Sequence, residues 1–162
     1  MSSLKEFKDI STQFTNHYTS GLRNDTALFG LFYGISSSYI DNILNGRHPS
    51  VLVEALQHQG YQFGLFSTDG FSSPLFRQAI LSDYSLPTKA ADSDKQTIEQ
   101  WHLWLDNVKH GSPWFSFLNI KGSPGSRQTD NQINQVIETL KSQNKLNNTI
   151  VVITANYNSQ GA

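Results

Sequence analysis

The sequence predicts a three-layer α/β/α sandwich built on a mainly parallel sheet. Segments with helical periodicity alternate with short apolar segments along most of the chain. Crossover helices of this kind join parallel strands and cover both faces of a sheet. The late segment Thr149–Thr154 reads TIVVIT and is almost entirely β-branched, which is typical of a strand buried on both faces.

The elements of the first half follow from capping residues and apolar spacing. Ser2–Ile10 is predicted to be a short amphipathic helix, because Leu4, Phe7 and Ile10 share one face. Gln13–Thr19 alternates in side-chain type, which predicts a short strand. Three helices are then expected at Thr26–Tyr33, Tyr39–Leu44 and Val51–Gln59.

The second half repeats the alternation with longer helices. Two further strands are predicted at Tyr61–Phe66 and Trp114–Ile120. Pro74 suits the first position of a helix capped by Ser73, and Asp92 or Ser93 suits the cap of a longer one. The predicted helices are Pro74–Leu81, a long helix ending at about Lys109, and Asp130–Asn144.

Composition excludes several classes of function. The 162 residues suit one domain, and a net charge of −1 argues against a nucleic-acid binder. The absence of Cys excludes disulfides, thiolate metal sites and cysteine nucleophiles. The charged start of the chain does not resemble a signal peptide, and its longest apolar run, Ala27–Ile35, is too short to span a bilayer. We therefore expect the chain as given to be soluble.

The fold class also predicts where a ligand would bind. In open parallel sheets the site lies beyond the carboxyl ends of the strands. The segments expected at that edge are Ser20–Asp25, Ser67–Gly70, Lys121–Ser126 and Ala155–Gln160.

Several stretches resemble one family. They are FTNHYTSG at Phe14–Gly21, DTALFGLFYGI at Asp25–Ile35, GYQFGLFSTDGFSSPLFRQAIL at Gly60–Leu81 and NNTIVVITA at Asn147–Ala155. Together they are similar to the periplasmic domain of the YejM (PbgA) family of Gram-negative inner-membrane proteins, which belongs to the alkaline phosphatase/sulfatase superfamily. The resemblance covers nearly the whole chain in the right order.

The resemblance implies a fold, a place and a role. It implies an alkaline phosphatase/sulfatase-like sandwich in a single partial domain, residues 1–162, that lacks the superfamily's first strand and its C-terminal part. It implies a location at the periplasmic face of the inner membrane, within a longer protein that carries transmembrane helices. The implied partners are envelope lipids (cardiolipin and lipid A) and inner-membrane regulatory proteins, and the implied role is control of lipopolysaccharide synthesis.

The chain departs from the catalytic members of the superfamily at the metal site. Those members place a metal-binding Asp at the end of a strand that would precede Ser2, and an Asp-His pair after the strand that matches TIVVIT. The positions that match this pair are Asn156 and Tyr157. Neutral Asn is a poor substitute for a carboxylate, and Tyr is not a usual ligand of zinc or magnesium. We therefore expect no metal-binding residues and no cofactor.

The position that best matches the superfamily nucleophile is Thr26. At the start of a helix its hydroxyl would lie near free N–H groups that suit a phosphate or sulfate, with Arg23, Asn24 and Asp25 as anion-binding candidates. The alternative, which we favour, is that Asn24 or Asp25 caps the helix and that Thr26 is simply its first or second residue.

Other candidates have ordinary structural explanations. Asp69 lies at the expected edge, but an Asp-Gly pair most often makes a turn. His17 is placed near the same edge, although a structural role is preferred. Three tryptophans can form either an acyl-chain site or part of the core, and the core is the default; they are Trp101, Trp104 and Trp114.

Two functions remain open. The first is a non-catalytic or weakly active sulfatase-fold domain of a YejM-like protein that regulates lipopolysaccharide and envelope lipids. The alternative is a metal-dependent phosphatase or sulfatase that uses Thr26 as its nucleophile and requires magnesium, manganese or zinc.

Overall fold

The structure, a computed structural model, describes residues 7–21, 23–87, 89–122 and 126–155. Five helices and two strands make up most of its regular structure. They are α1 (Asn24–Tyr33), α2 (Ile40–Gly46), α3 (Val51–His58), β1 (Gln62–Ser67), α4 (Asp94–Asn107), β2 (Trp114–Asn119) and α5 (Arg127–Ser142). Two 3₁₀ turns and a π-helical turn complete the described elements, at Ser37–Tyr39, Leu146–Asn148 and Phe76–Ile80.

The two strands form a parallel pair, as the sequence predicts. The register runs from Gln62 opposite Trp114 to Ser67 opposite Asn119. The connection between them contains α4, which is the crossover that parallel pairing requires. Both strands therefore end at the same edge of the sheet.

Helices cover both faces of this sheet. On one face, α1, α3 and the π-helical turn contribute a core of buried side chains that includes Phe29, Val53 and Ile80. The strand side chains that pack against this core are Phe63, Leu65, Phe115 and Phe117. On the other face, α4 and α5 contribute Trp101, Leu105 and Leu140, against which Phe66, Trp114 and Leu118 pack. The predicted three-layer α/β/α arrangement is thereby confirmed.

The tryptophans belong to this second core. Trp101 is buried, and its indole Nε1 donates to Ser116 Oγ at 3.2 Å. The Trp104 ring lies edge-on to Trp114, with centroids 5.9 Å apart, and also meets Phe66. The preferred explanation of these residues as core is therefore confirmed.

Serine caps set the starts of the longer helices. Ser93 Oγ accepts from Gln96 N at 3.2 Å, which settles the choice between Asp92 and Ser93 as the cap of α4. Ser126 Oγ accepts from Thr129 N at 3.1 Å, so α5 begins at Arg127, three residues earlier than predicted.

The predicted strand at Gln13–Thr19 is wrong. These residues form a turn and irregular backbone, and Phe14 and Tyr18 are exposed. The alternating pattern is present, but a strand also needs a hydrogen-bonded neighbour, and no strand pairs with this segment in the described residues.

The predicted strand at Thr149–Thr154 is also not formed. Ile150 is 93% exposed and Val152 is 73% exposed, while Val151 packs against the core of α4 and α5. Val151 lies between two exposed neighbours, but Ile153 is exposed as well, and the backbone is paired with neither β1 nor β2. Its β-branched residues favour the extended conformation, but a strand forms only where a neighbouring strand is hydrogen-bonded to it.

Some expectations fall outside the described residues. Of the predicted first helix, residues 7–9 are helical and residues 1–6 are not described. Asn156 and Tyr157 also lie outside the described ranges. Within the described ranges, none of the helices has the length and apolarity needed to cross a membrane.

Candidate functional site

The first turn of α1 holds the sequence-predicted nucleophile. Thr26 Oγ1 donates to Arg23 O at 2.7 Å and accepts from Arg23 N at 3.2 Å. Arg23 occupies the cap position, so the prediction that Asn24 or Asp25 caps this helix is wrong. The physical reason is that the Thr26 hydroxyl reaches back from the third helical position and replaces the cap side chain.

The neighbouring candidates are brought together with Thr26, since all belong to one turn. The carboxylate of Asp25 accepts from Ser73 Oγ at 3.1 Å, and Ser73 Oγ in turn accepts from Leu75 N at 3.2 Å. This contact places the start of α1 beside the segment that follows β1. Arg23 itself is exposed.

A second cluster lies at the carboxyl ends of the two strands, where the fold class predicts a site. Its centre is Asp94, the first residue of α4. Asp94 Oδ1 accepts from Thr68 Oγ1 at 2.7 Å and from Lys121 N at 2.8 Å, and Oδ2 accepts from Gly122 N at 3.1 Å. One carboxylate therefore joins the segment after β1 to the segment after β2.

Further hydrogen bonds extend this cluster. Thr68 Oγ1 lies 2.8 Å from Thr97 Oγ1, and both residues are buried. Thr97 Oγ1 also donates to Ser93 O at 3.1 Å, so the two threonines connect the segment after β1 to the start of α4. The strand ends are also joined directly, since Asn119 Nδ2 donates to Ser67 Oγ at 3.1 Å.

The environment of Asp94 favours its charged form. Burial by itself would raise the pKa of this carboxyl group. The hydrogen bonds from Thr68, Lys121 and Gly122, together with the Lys121 charge, outweigh burial and hold the pKa below its ordinary value. Asp94 is therefore an ionised group at neutral pH, with three donors already bound to it.

Asp69 has the structural role that the sequence favours. It lies in the turn after β1, where Gly70 N donates to Ser67 O at 3.1 Å. Gly70 has a φ of 73°, a conformation that suits glycine. The Asp69 carboxylate is 3.2 Å from Lys121 Nζ, which adds an exposed link between the two strand ends. His17, by contrast, lies exposed in irregular backbone and not on a strand.

Sequence reasoning missed Asp94, Thr68 and Thr97. Asp94 directly follows the two cap candidates, Asp92 and Ser93, and an acidic residue in the first turn of a helix is expected without any further role. The partners of Asp94 lie 26 to 28 residues away along the chain, so no local pattern could reveal them. Only the parallel pairing of β1 and β2 brings these groups together.

The described residues do not bring together the ligands of a divalent metal site of the superfamily type. Around Thr26 the only carboxylate in the turn is Asp25, and Ser73 already donates to it. In the described part of the chain, no three His, Asp or Glu side chains are grouped so that they could hold an ion. What the described contacts around Thr26 and Asp25 show is hydrogen bonding at a helix start.

Comparisons with known proteins agree with this fold. The family model for sulfatases matches residues 1–123. The chain is 42% identical over 96% of its length to inner membrane protein YejM of Salmonella typhimurium and, equally, to that of Salmonella typhi. It is 33% identical over 97% of its length to a protein of Haemophilus influenzae. The chain spans 29% of each Salmonella relative and 28% of the Haemophilus one. It is thus a homologue of YejM, and it belongs to the sulfatase family.

Proposed function

We propose that this chain is a non-catalytic or weakly active sulfatase-fold domain within a YejM-like inner-membrane protein, and that it regulates lipopolysaccharide and envelope lipids. Its partners would be cardiolipin, lipid A and inner-membrane regulatory proteins, reached through the periplasmic face of the membrane. The relatives are named as inner-membrane proteins, and the chain matches 29% of their length.

The observation that carries the proposal is the state of the Thr26 hydroxyl. A nucleophile needs its oxygen directed at the substrate and its proton directed at a base or replaced by a metal. Here the oxygen and the proton are both used within the turn, on Arg23 N and Arg23 O. This hydroxyl therefore stabilises the helix start in the same way as a capping side chain.

The sequence supports the same proposal at a second place. The positions that match the superfamily's metal-binding Asp-His pair are Asn156 and Tyr157. An uncharged amide and a phenol bind a divalent cation much more weakly than a carboxylate and an imidazole. Loss of both ligands together would remove the activation of a Thr nucleophile.

The alternative is a metal-dependent phosphatase or sulfatase with Thr26 as nucleophile. It is favoured by membership of the sulfatase family and by the place of Thr26 in the first turn of α1, next to Arg23. Such a turn presents N–H groups and a positive dipole end to an anion. It would require metal ligands other than those that the described residues bring together.

Hydrolysis assays separate the two functions. Phosphate and sulfate esters of 4-nitrophenol are incubated with the chain in the presence of magnesium, manganese or zinc, with Thr26→Ala and Thr26→Ser beside it. The proposal expects turnover that is equal in all three proteins and at most slightly above a protein-free control with the same metal. Metal-dependent turnover that is lost in Thr26→Ala and retained in Thr26→Ser would establish the hydrolase instead.

Lipid binding tests the regulatory half of the proposal. Vesicles of phosphatidylcholine alone are compared with vesicles that also contain cardiolipin or lipid A, by co-sedimentation with the chain. Binding that requires cardiolipin or lipid A and persists at 150 mM salt supports the proposal. Equal binding to all three vesicles, or none, would contradict it.

A further inference from the structure

The segment Thr149–Thr154 carries a row of backbone groups without protein partners. Thr149 has an extended backbone, with φ −127° and ψ 129°, and the residues after it up to Ala155 form no helix, turn or strand. Within the described residues, none of the backbone N–H or C=O groups of Ile150–Ile153 forms a hydrogen bond. Such groups are satisfied either by water or by the backbone of another strand.

The segment also presents apolar side chains to solvent. Ile150 is 93% exposed and Val152 is 73% exposed. Val151, which lies between them, packs against the core of α4 and α5 and so holds the segment on the molecule. Two β-branched side chains of the type that strands favour are therefore left in water, where covering them would be favourable.

The connections of the sheet place this segment at its outer side. β1 is joined to β2 through α4, and β2 is joined to the segment through α5. Both helices pack on the same face of the sheet. Right-handed crossovers on one face advance across a sheet in one direction, so the segment follows β2 on the side away from β1. In the described residues no further strand lies beyond it.

The composition of the segment indicates what would cover it. Thr149–Ala155 contains no charged residue, no Pro and no Gly, so it lacks the features that keep exposed strands apart. A complementary partner needs free backbone groups in an extended segment and apolar β-branched side chains. The segment itself meets both requirements, and two such segments can approach without charge repulsion. A second copy of this chain therefore fits.

We propose that two copies of this chain associate by antiparallel pairing of their Thr149–Thr154 segments about a two-fold axis. Opposite side chains of an antiparallel pair point to the same face, so Val151, which faces α4 and α5, must oppose a residue of that face. The register that covers the most exposed apolar surface sets Ile150 against Val152 of the second copy. Val151 then lies opposite Val151 of the second copy. This contact goes beyond the function proposed above and does not depend on it.

Cysteine cross-linking tests the register. The chain contains no Cys, so single cysteines report which positions lie opposite each other. Ile150→Cys and Val152→Cys are mixed in oxidised glutathione, beside each variant alone. Opposite positions are within reach of a disulfide, whereas each cysteine and its own copy are diagonal neighbours and too far apart. Ile150→Cys mixed with Leu103→Cys is the matched control, because Leu103 is an exposed residue of α4.

The expected result is a weak dimer with this register. Sedimentation velocity of the wild-type chain over about 5 to 500 μM should show a monomer that becomes a dimer, because small interfaces are weak. No larger species should form, since a two-fold contact uses the segments of both copies. The mixture of Ile150→Cys and Val152→Cys should cross-link about tenfold faster than either variant alone and than the control mixture.

Three outcomes would overturn the proposal. A monomer at all of these concentrations would show that the segment stays hydrated or pairs within its own chain. Oligomers that grow beyond the dimer would show an open-ended contact in place of a two-fold one. Equal cross-linking rates in the mixture and in the single variants would show random collision or a different register.

Discussion

At the scale of single residues, the Thr26 hydroxyl and the Asp94 carboxylate both form hydrogen bonds with backbone groups. Thr26 closes the first turn of α1, and Asp94 holds the backbone N–H groups of Lys121 and Gly122. Both residue types are also those that catalyse phosphoryl and sulfuryl transfer. Whether such a residue is structural or catalytic depends on which groups it forms hydrogen bonds with, and the sequence alone does not show these partners.

Replacing Asp94 by Asn should lower the free energy of unfolding by about 1–2 kcal/mol at neutral pH. The Asn side chain keeps the shape of Asp but loses the charge. One of the two accepting oxygens is replaced by an NH₂ group, which then faces a backbone N–H donor and cannot accept from it. Urea denaturation measures the change. Asp92→Asn is the control, because the Asp92 carboxylate forms an exposed pair with Lys89 at 3.6 Å and its loss should cost less than about 0.5 kcal/mol.

The same variant has a predicted pH dependence. The folded-state pKa of Asp94 lies below its ordinary value of 3.8, so its charge stabilises the fold fully above that value. This stabilisation is lost as the pH falls through the lower folded-state pKa. The difference between wild type and Asp94→Asn should therefore be constant from pH 7 to pH 5 and shrink towards pH 2. A difference that grows on acidification would contradict the argument.

At the scale of elements, α4 lies so close to β1 that the strand needs a glycine. A Cβ built on Gly64 would lie 2.6 Å from two ring atoms of Trp104. The strand backbone thus forms the floor on which the indole packs, between Phe66 and Trp114. Trp104 could be assigned to the core from the sequence, whereas this approach to Gly64 depends on how the helix crosses the sheet.

Gly64→Ala should therefore destabilise the protein by about 1–3 kcal/mol, because the added methyl group overlaps the indole. The cost should be smaller in a Trp104→Leu background, where the ring is gone. Urea denaturation of the four proteins in this cycle gives the coupling between the two positions. An equal loss of unfolding free energy in both backgrounds would mean that the methyl group clashes with a group other than the Trp104 ring.

At the scale of the whole molecule, the sheet has open edges in the described structure. The two described strands pair only with each other. Thr149–Thr154 packs through Val151 but leaves Ile150 and Val152 in solvent, with its backbone outside the ladder. An extended apolar segment with unpaired backbone is a template for association with another strand.

The chain is thus expected to self-associate as its concentration rises, and the double variant Ile150→Lys with Val152→Lys should reduce this association. Since both side chains are exposed, the double variant should change stability by less than about 0.5 kcal/mol per site. Sedimentation velocity measures the association. Val151→Lys is the contrasting variant, and it should cost more than about 1 kcal/mol because Val151 packs against the core. Unchanged association in the double variant would show that other surfaces are responsible.

The sequence by itself determined the order of the helices, the two strands that pair in parallel and their burial between helical layers. These features follow from apolar periodicity and from Ser and Gly at helix ends, which act over a few neighbouring residues. The strand at Gln13–Thr19 and the strand at Thr149–Thr154 could not be decided in this way, because a strand forms only with a hydrogen-bonded neighbour. Tertiary structure alone decided the role of Asp94, whose donors come from 26 to 28 residues away. It also decided the close approach of Trp104 to Gly64, because contact distances of this kind depend on packing between elements.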